Sequence, residues 1–406
     1  MLHLAAIAAL AGAAALAPTP SSSNPVNPDA QVNESFQIIS DNEIIVDGYT
    51  FGSWDELHAS GYFGFEDTRC ATKPSLTPAF EATQGAADCT YNRTTIRSDY
   101  EPSVAKYRIP VVIHIIQRTN GTGNIPDARV LSQIEIMNED FQALAGSNGA
   151  PGNDAQIEFY LATEDPNGNP TTGITRSTNN TWFNDGGSYW NSLAWDTNRY
   201  LNIYTNSASG ALGYVPDLPQ GGIAGSNSDR VVILYSTFGR NAPYSPFNLG
   251  RTVTHELGHY FGLYHTFNGG CSNSYTSGDR IADTNPESSP TYGCPGSRSS
   301  CGQAAPIDNY MDYSDDRCMN KFTDEQNNRM RCSLLHYRPN LYSVANDGGC
   351  SAADLAEPFG QLNFFDVSAF LSAFASNGAN ADINGDGEWN FFDVSDFLSV
   401  FGQGCP

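Results

Sequence analysis

Apolar and polar residues along this chain fall into blocks of two different periods. The stretches YRIPVVIHIIQ from Tyr107, IEFYLAT, LNIYTN and DRVVILYS are rich in β-branched and aromatic residues and predict strands. Between them ARVLSQIEIMNEDFQAL repeats its apolar positions at helical spacing. A second helix is expected from near Asn248 through THELGHYFGLYH, and a third over TDEQNNRMRCSLLHY. Strands on both sides of one long helix predict a mixed α/β sheet. Upstream, the apolar patches FQII and EIIVDGYTF follow a Ser/Pro/Asn-rich stretch from Pro18 to Asn33, which reads as a flexible leader. Past Pro339 the composition shifts, and QLNFFDVSAFLSAF is echoed by EWNFFDVSDFLSVF. A repeat that close in sequence marks a small separate module.

At 406 residues the chain is long enough for two or three domains. Its formal charge of −24 excludes binding to nucleic acid or to an anionic membrane through a basic surface. The first residues, LHLAAIAALAGAAALA after Met1, form a short apolar run with small residues suited to cleavage at Ala15 or Ala17. This predicts a secretion signal over 1–17. Read as a membrane anchor, the run is too short for a hydrocarbon core of ~30 Å. Nine cysteines in an exported chain are expected mostly in disulfides, and the odd number leaves at least one without a partner in the chain.

The chemistry concentrates in HExxHxxGxxH, formed by His255, Glu256, His259, Gly262 and His265. Histidines at i and i+4 project from one helix face and can reach one ion. Gly262 can take a positive φ and end the helix, which swings His265 round as a third ligand. Three neutral imidazoles leave one position of tetrahedral zinc open to water, as catalysis requires. Glu256, next to the first ligand, can accept a proton from that water and pass it to a leaving amine. A purely structural zinc site would close its sphere with a fourth side chain and would not need the glutamate. Only seven histidines occur in the whole chain, and three of them fall here.

This extended motif resembles the metzincin signature, and Met311 in NYMDY looks like the methionine of the turn that metzincins place beneath the metal. More narrowly, HELGHYFGLYHTFNGGC, GDRIADTNPE and DNYMDYSDDRCMNKFTDEQNNRM resemble the pappalysin family across most of residues 105–335. The resemblance implies a metzincin catalytic domain with a twisted mixed sheet, a long active-site helix and a cleft between two subdomains. It implies that Tyr313 lies near the zinc, as a movable ligand or as a donor to the oxyanion. Disulfides Cys271–Cys301 and Cys294–Cys318 are implied as well, and Asp279, Asp283 and Thr284 resemble a calcium-binding loop. A solvated acidic loop is the alternative.

Arg69, Cys70, Ala71 and Thr72 resemble the cysteine switch of metzincin propeptides, in which a thiolate occupies the position that water must hold. The alternative is a Cys70–Cys89 disulfide. Activation by cleavage near Arg93 or Arg97 is expected. At the other end Asp382, Asn384, Asp386, Glu388, Asn390 and Asp393 form a calcium loop, DINGDGEWNFFD, with its turn glycine at Gly387 and with Glu388 contributing its backbone carbonyl. The loop and the phenylalanine-rich helix after it resemble dockerin domains. A first copy, from Asp354 to Asp366, is one residue longer and carries Phe359 where an oxygen ligand is expected. Cys350 and Cys405 bracket the module and are expected to clamp it. Its phenylalanines are expected chiefly in its core.

The expected organisation is a signal peptide over 1–17, a propeptide over 18–97, an α/β metzincin catalytic domain over 98–340 and a small all-α dockerin-like calcium-binding module over 350–406. The expected function is that of a secreted zinc metalloendopeptidase acting on extracellular proteins or peptides, with structural calcium and a cohesin-like or cell-surface partner for the module. Two rivals are an adhesion or scaffolding protein that works through the C-terminal module and a calcium-binding structural protein with latent zinc.

Overall fold

The computed structural model describes residues 66–74 and 85–345, with shorter stretches between 37 and 62 and between 351 and 404. The expected signal segment, the leader from Pro18 to Asn33, Phe359, Asp386 and the Cys350 and Cys405 pair lie outside the described residues.

Three short strands, β1 (Gln37–Ser40), β2 (Glu43–Val46) and β3 (Tyr49–Phe51), form an antiparallel sheet of their own. One helical turn, α1 (Glu66–Arg69), delivers the chain to Cys70. The main sheet is built around β4 (Lys106–Gln117). After it come α2 (Asp127–Phe141), β5 (Ile157–Leu161), β6 (Ile174–Thr178), the short helices α3 (Asn180–Phe183) and α4 (Trp190–Leu193), and β7 (Leu201–Asn206). Then follow β8 (Gly213–Tyr214), β9 (Val231–Leu234), α5 (Arg251–Tyr260), the hairpin of β10 (Ser299–Ser300) and β11 (Gln303–Ala304), α6 (Asp324–Tyr337) and β12 (Ser343–Ala345). The last helices are α7 (Phe364–Ala375) and α8 (Phe391–Gln403).

In the main sheet β4 pairs parallel with β5, β6 and β7, β7 pairs parallel with β9, and β12 and β8 join antiparallel at the two ends of the path. The sheet is mixed, as the hydrophobic blocks predict. From Val111 to Ile116 every residue of β4 is buried, which is why that stretch reads as a continuous apolar run and not as an alternation. One face packs on α2 and α5 through Val130, Met137, Phe141, Val253 and Leu257. Across the other face Tyr204, Val232 and Leu234 meet Phe183 and Tyr189.

α5 begins at Arg251, after Gly250 in a left-handed conformation (φ 79°), a little later than the expected start near Asn248. Every residue in it is buried. α6 starts at a capping box made by Thr323 and Gln326. Its far end is held by Arg338, whose guanidinium donates to Asp229 Oδ2 and Oδ1 at 2.9 and 2.6 Å and to the Tyr260 carbonyl at 2.7 Å. The loops between α5 and α6 carry the Cys271–Cys301 and Cys294–Cys318 disulfides that the resemblance implied.

Two expectations need correction. Cys89 is bonded to Cys332 on α6, across the propeptide limit expected at residue 97. The same bond rules out a Cys70–Cys89 disulfide and leaves Cys70 free and buried. In the C-terminal module the phenylalanines are divided. Phe370 and Phe397 stack 4.1 Å apart in a core with Ala353 and Ala381, whereas Phe364, Phe365, Phe391 and Phe392 are 61–77% exposed. The paired phenylalanines open the two helices, where a two-helix core is too narrow to cover them.

Candidate metal centre and active site

The constellation starts from α5. Its spacing puts His255 and His259 on one face, and backbone carbonyls fix which nitrogen of each ring is free. His255 Nδ1 donates to the Tyr310 carbonyl at 2.6 Å and His259 Nδ1 to the Leu263 carbonyl at 2.8 Å. Both Nε2 atoms therefore carry lone pairs. Gly262 sits at φ 91°, a conformation that L side chains rarely adopt. A Cβ there would also come within 2.6 Å of Gln220 Nε2 and Ser333 Oγ. The turn it makes brings His265 Nε2 to 2.9 Å from His259 Nε2.

Cys70 joins the three histidines from the far N-terminal side, and one donor atom from each of the four lies within 4.8 Å of the others. Among the described residues this is the only group of three or more His, Cys, Asp or Glu side chains that could hold one ion. The donors fit zinc on chemical grounds: imidazole nitrogen and cysteine sulfur are both its ligands, and four such donors complete a tetrahedral sphere. Burial pushes His259 down to about 4 and His255 and His265 well below the ordinary imidazole range, so the nitrogens are neutral and ready to ligate. His255 Nε2 is buried without a hydrogen-bond partner, as an atom aimed at a metal would be.

Glu256 is fully buried beside them. Its Oε2 accepts from Thr72 Oγ1 at 3.1 Å and from Cys70 Sγ at 3.4 Å, while Oε1 has no hydrogen-bond partner. Burial pushes its carboxyl up to about 8. Burial and the facing Glu256 raise the Cys70 thiol well above its ordinary range. A divalent cation beside Glu256 and Cys70 acts in the opposite direction on both.

The Arg69–Thr72 segment lies along the edge strand β8. Leu212 N donates to the Thr68 carbonyl at 3.0 Å, Ala71 N to the Gly213 carbonyl at 3.1 Å, and Val215 N to Thr72 Oγ1 at 2.9 Å. Cys70 pairs with Gly213 as a parallel bridge, so the segment occupies a sheet edge that an extended peptide could otherwise join. Gly213 permits this closeness, since a Cβ there would stand 2.8 Å from Glu256 Cγ. Arg69 is buried too, its guanidinium 3.8 Å over the Phe247 ring and donating to the Ser314 carbonyl at 2.5 Å.

Tyr313 is buried with its hydroxyl 3.2 Å from His265 Nε2 and 3.5 Å from the Cys70 carbonyl. Met311 is buried with its sulfur against Gly258 on α5, its carbonyl accepting from Thr266 N at 3.2 Å. The other sequence candidates stand apart. Asp279 is buried and accepts from Thr284 Oγ1 at 2.6 Å, but Asp283 turns its Oδ2 to Glu325 N at 3.0 Å, at the start of α6. In the C-terminal loop Asp382 Oδ2 accepts from Gly387 N, Asp393 accepts from Ile383 N and Asn390 N, and Asn390 Oδ1 caps α8 at Phe392 N. Glu388 is exposed, and Asn384 lies on the same loop. Asp366 repeats the role of Asp393 in the first copy, accepting from Leu355 N, Ala356 N and Asn363 N.

Gly213, Phe247 and Ser314 belong to this site and carry no local sequence signal. Each sits in a loop or on an edge strand that only the tertiary fold brings to α5.

Comparison with known proteins agrees with this geometry. The family described as pregnancy-associated plasma protein-A peptidases matches residues 188–335. An extracellular metalloprotease of Colletotrichum graminicola is 39% identical over 58% of this chain and 79% of its own length. Among solved structures, a promirolysin variant of Tannerella forsythia is 35% identical with a TM-score of 0.54, covering 64% of this chain and 89% of that one. Mature mirolysin from the same organism, in complex with a cleaved peptide, is 38% identical with a TM-score of 0.50, covering 58% of this chain and 96% of that one.

Proposed function

The chain belongs to the pregnancy-associated plasma protein-A family of extracellular zinc metallopeptidases, and from that premise we propose that it is an endopeptidase whose chemistry is carried by Glu256 and whose latency is carried by Cys70. His255, His259 and His265 would hold the zinc. When bound, the ion supplies Lewis acidity toward the scissile carbonyl and makes water nucleophilic near neutral pH.

The remaining work falls to side chains. Glu256 takes the proton of the attacking water and returns it to the leaving nitrogen. Its unpartnered Oε1 and its position one residue past the first ligand support that assignment. Tyr313 donates its hydroxyl to the carbonyl oxygen as negative charge develops there. An extended substrate pairs with the edge of β8 once the Arg69–Thr72 segment has left it. While the segment is present the site is blocked twice. Cys70 sits among the zinc ligands, and Cys70 and Thr72 both engage Glu256 Oε2.

The single observation that carries the reading is the convergence of a buried free thiol on three buried histidines and one buried glutamate. Full-length wild type, Cys70→Ala and Glu256→Gln proteins, assayed on a diverse peptide library with zinc content measured on each, test it. Cys70→Ala is expected to cut peptides without processing, and Glu256→Gln to keep zinc and lose at least ~100-fold in rate. A Cys70→Ala protein that contains zinc and stays latent contradicts the switch. A Glu256→Gln protein that still turns over contradicts the mechanism.

Calcium is proposed at two places. The buried carboxylate of Asp279, pushed up to about 7 by burial, supports a cation in its loop, and Asp382 to Asp393 supply a second, dockerin-like loop. The exposed phenylalanine pairs on α7 and α8 support a role for that module in attachment to a partner.

A further inference from the structure

The stretch from Ala86 to Arg97 is tied to the catalytic body at Cys89, Thr90, Tyr91, Arg93, Thr94 and Arg97. Cys89 is bonded to Cys332, and its carbonyl accepts from Gln220 Nε2 at 2.9 Å and Tyr337 OH at 3.4 Å. The Tyr91 carbonyl accepts from Tyr264 OH at 2.9 Å, Thr94 N donates to the Tyr275 carbonyl at 2.8 Å, and Asn328 holds both Arg97 N and the Arg97 carbonyl at 3.3 and 2.8 Å.

Arg329 is the centre of these contacts. Its side chain is fully buried on α6. Its guanidinium donates to Thr94 Oγ1 at 2.6 Å, the Thr90 carbonyl at 3.0 Å and the Arg93 carbonyl at 3.2 Å, while Nε donates to the Gly262 carbonyl at 2.8 Å. Three of its four acceptors thus come from the 86–97 stretch, and the fourth is the turn that separates His259 from His265. A buried guanidinium stripped of its acceptors is strongly unfavourable. Losing them would release the group that fixes the Gly262 carbonyl. Gln220 adds a parallel link, since it reaches the Cys89 carbonyl and also packs against Gly262.

We propose that residues 86–97 remain in the active enzyme as a brace for the turn that carries His265, and that the cut removing the Cys70 segment falls N-terminal to Ala86, not at Arg93 or Arg97. The inference rests on the latent-protease reading above. The cut is a peptide-bond hydrolysis and needs no co-reactant but water.

The test uses the full secreted chain. The species that has lost the Cys70 peptide is isolated from the culture medium, and its N-terminus and mass are determined before and after reduction. A chain that begins ahead of Ala86, contains Cys89 and loses no peptide on reduction is expected. A chain that begins at Thr94 or Ser98 and lacks Cys89 overturns the proposal. A full-length Arg93→Gln/Arg97→Gln protein is expected to mature at the wild-type rate, and failure to mature overturns the proposal as well. The brace is read directly from the rate of zinc release to a chelator, expected to rise at least tenfold in matured Cys89→Ser/Cys332→Ser protein. Equal release rates overturn it. Peptide hydrolysis is scored separately: a correctly processed, zinc-loaded chain that cuts no peptide sinks the protease reading, while its N-terminus and release rate still decide this one.

Discussion

Tyr313 shows how much of the site turns on one atom. Its ring packs 4.9 Å from both His265 and Phe267, so Tyr313→Phe keeps the packing and removes only the hydroxyl. The expected result is a fall in kcat of about 100-fold, the worth of one donor of ~3 kcal/mol, with little change in KM. An unchanged kcat would make it a packing residue. Asp279 poses an electrostatic question at the same scale. Burial raises its carboxyl from 3.8 to about 7, so the native state holds that proton more firmly than the unfolded chain does. The stabilisation from this group is complete below about pH 4 and is lost as pH rises through about 7. In calcium-free buffer the Tm of Asp279→Asn, neutral throughout, should therefore gain on wild type between pH 4 and pH 8. Calcium at about 100 times its Kd for this loop should return about 3 kcal/mol more to wild type than to Asp279→Asn at pH 8. If calcium moves the two proteins equally, the cation assigned to that loop is wrong. Both residues are visible in the sequence, but their burial is not, and burial sets their chemistry.

At the scale of elements, the helix α5 and the turn after it form one device. The i and i+4 histidines need only helical geometry, which is why that part of the site was legible from spacing. The third ligand depends on Gly262, where φ is 91° and Gln220 and Ser333 leave no room for a side chain. Gly262→Ala is expected to lower stability by at least ~1–2 kcal/mol from backbone strain alone, with a further cost from crowding. Urea unfolding of the two proteins measures the cost, and zinc release to a chelator should quicken in step. An alanine variant with wild-type stability and zinc retention would mean that the turn is set elsewhere. Edge strand β8 behaves differently, because Gly213 has no motif around it and acquires its role from the approach of Glu256 on α5 and Cys70 on the incoming segment. Such residues are invisible along the chain, since neither neighbour is local.

For the whole molecule, the two cores are separate: Phe370 and Phe397 close a small cluster with Ala353 and Ala381 that shares no residue with the core around β4. A chain ending after Ala345, which keeps β12 on β4, is expected to retain kcat/KM for short peptides within about twofold, since uniform substrate contacts lie on the other core. A large loss would make the C-terminal module part of the catalytic unit. The sequence by itself determined the mixed sheet, the spacing of the three histidines with the glutamate beside the first, and the repeat, because each is a short-range pattern imposed by the period of a helix or strand or by the ligand geometry of an ion. Only the tertiary structure decided that Cys70 stays free, that Cys89 belongs with Cys332, that Asp283 serves α6, and that the 86–97 stretch packs on the body that carries α6. Those outcomes depend on contacts between residues far apart in the chain, and local pattern carries no information about which distant partner will satisfy a buried polar group.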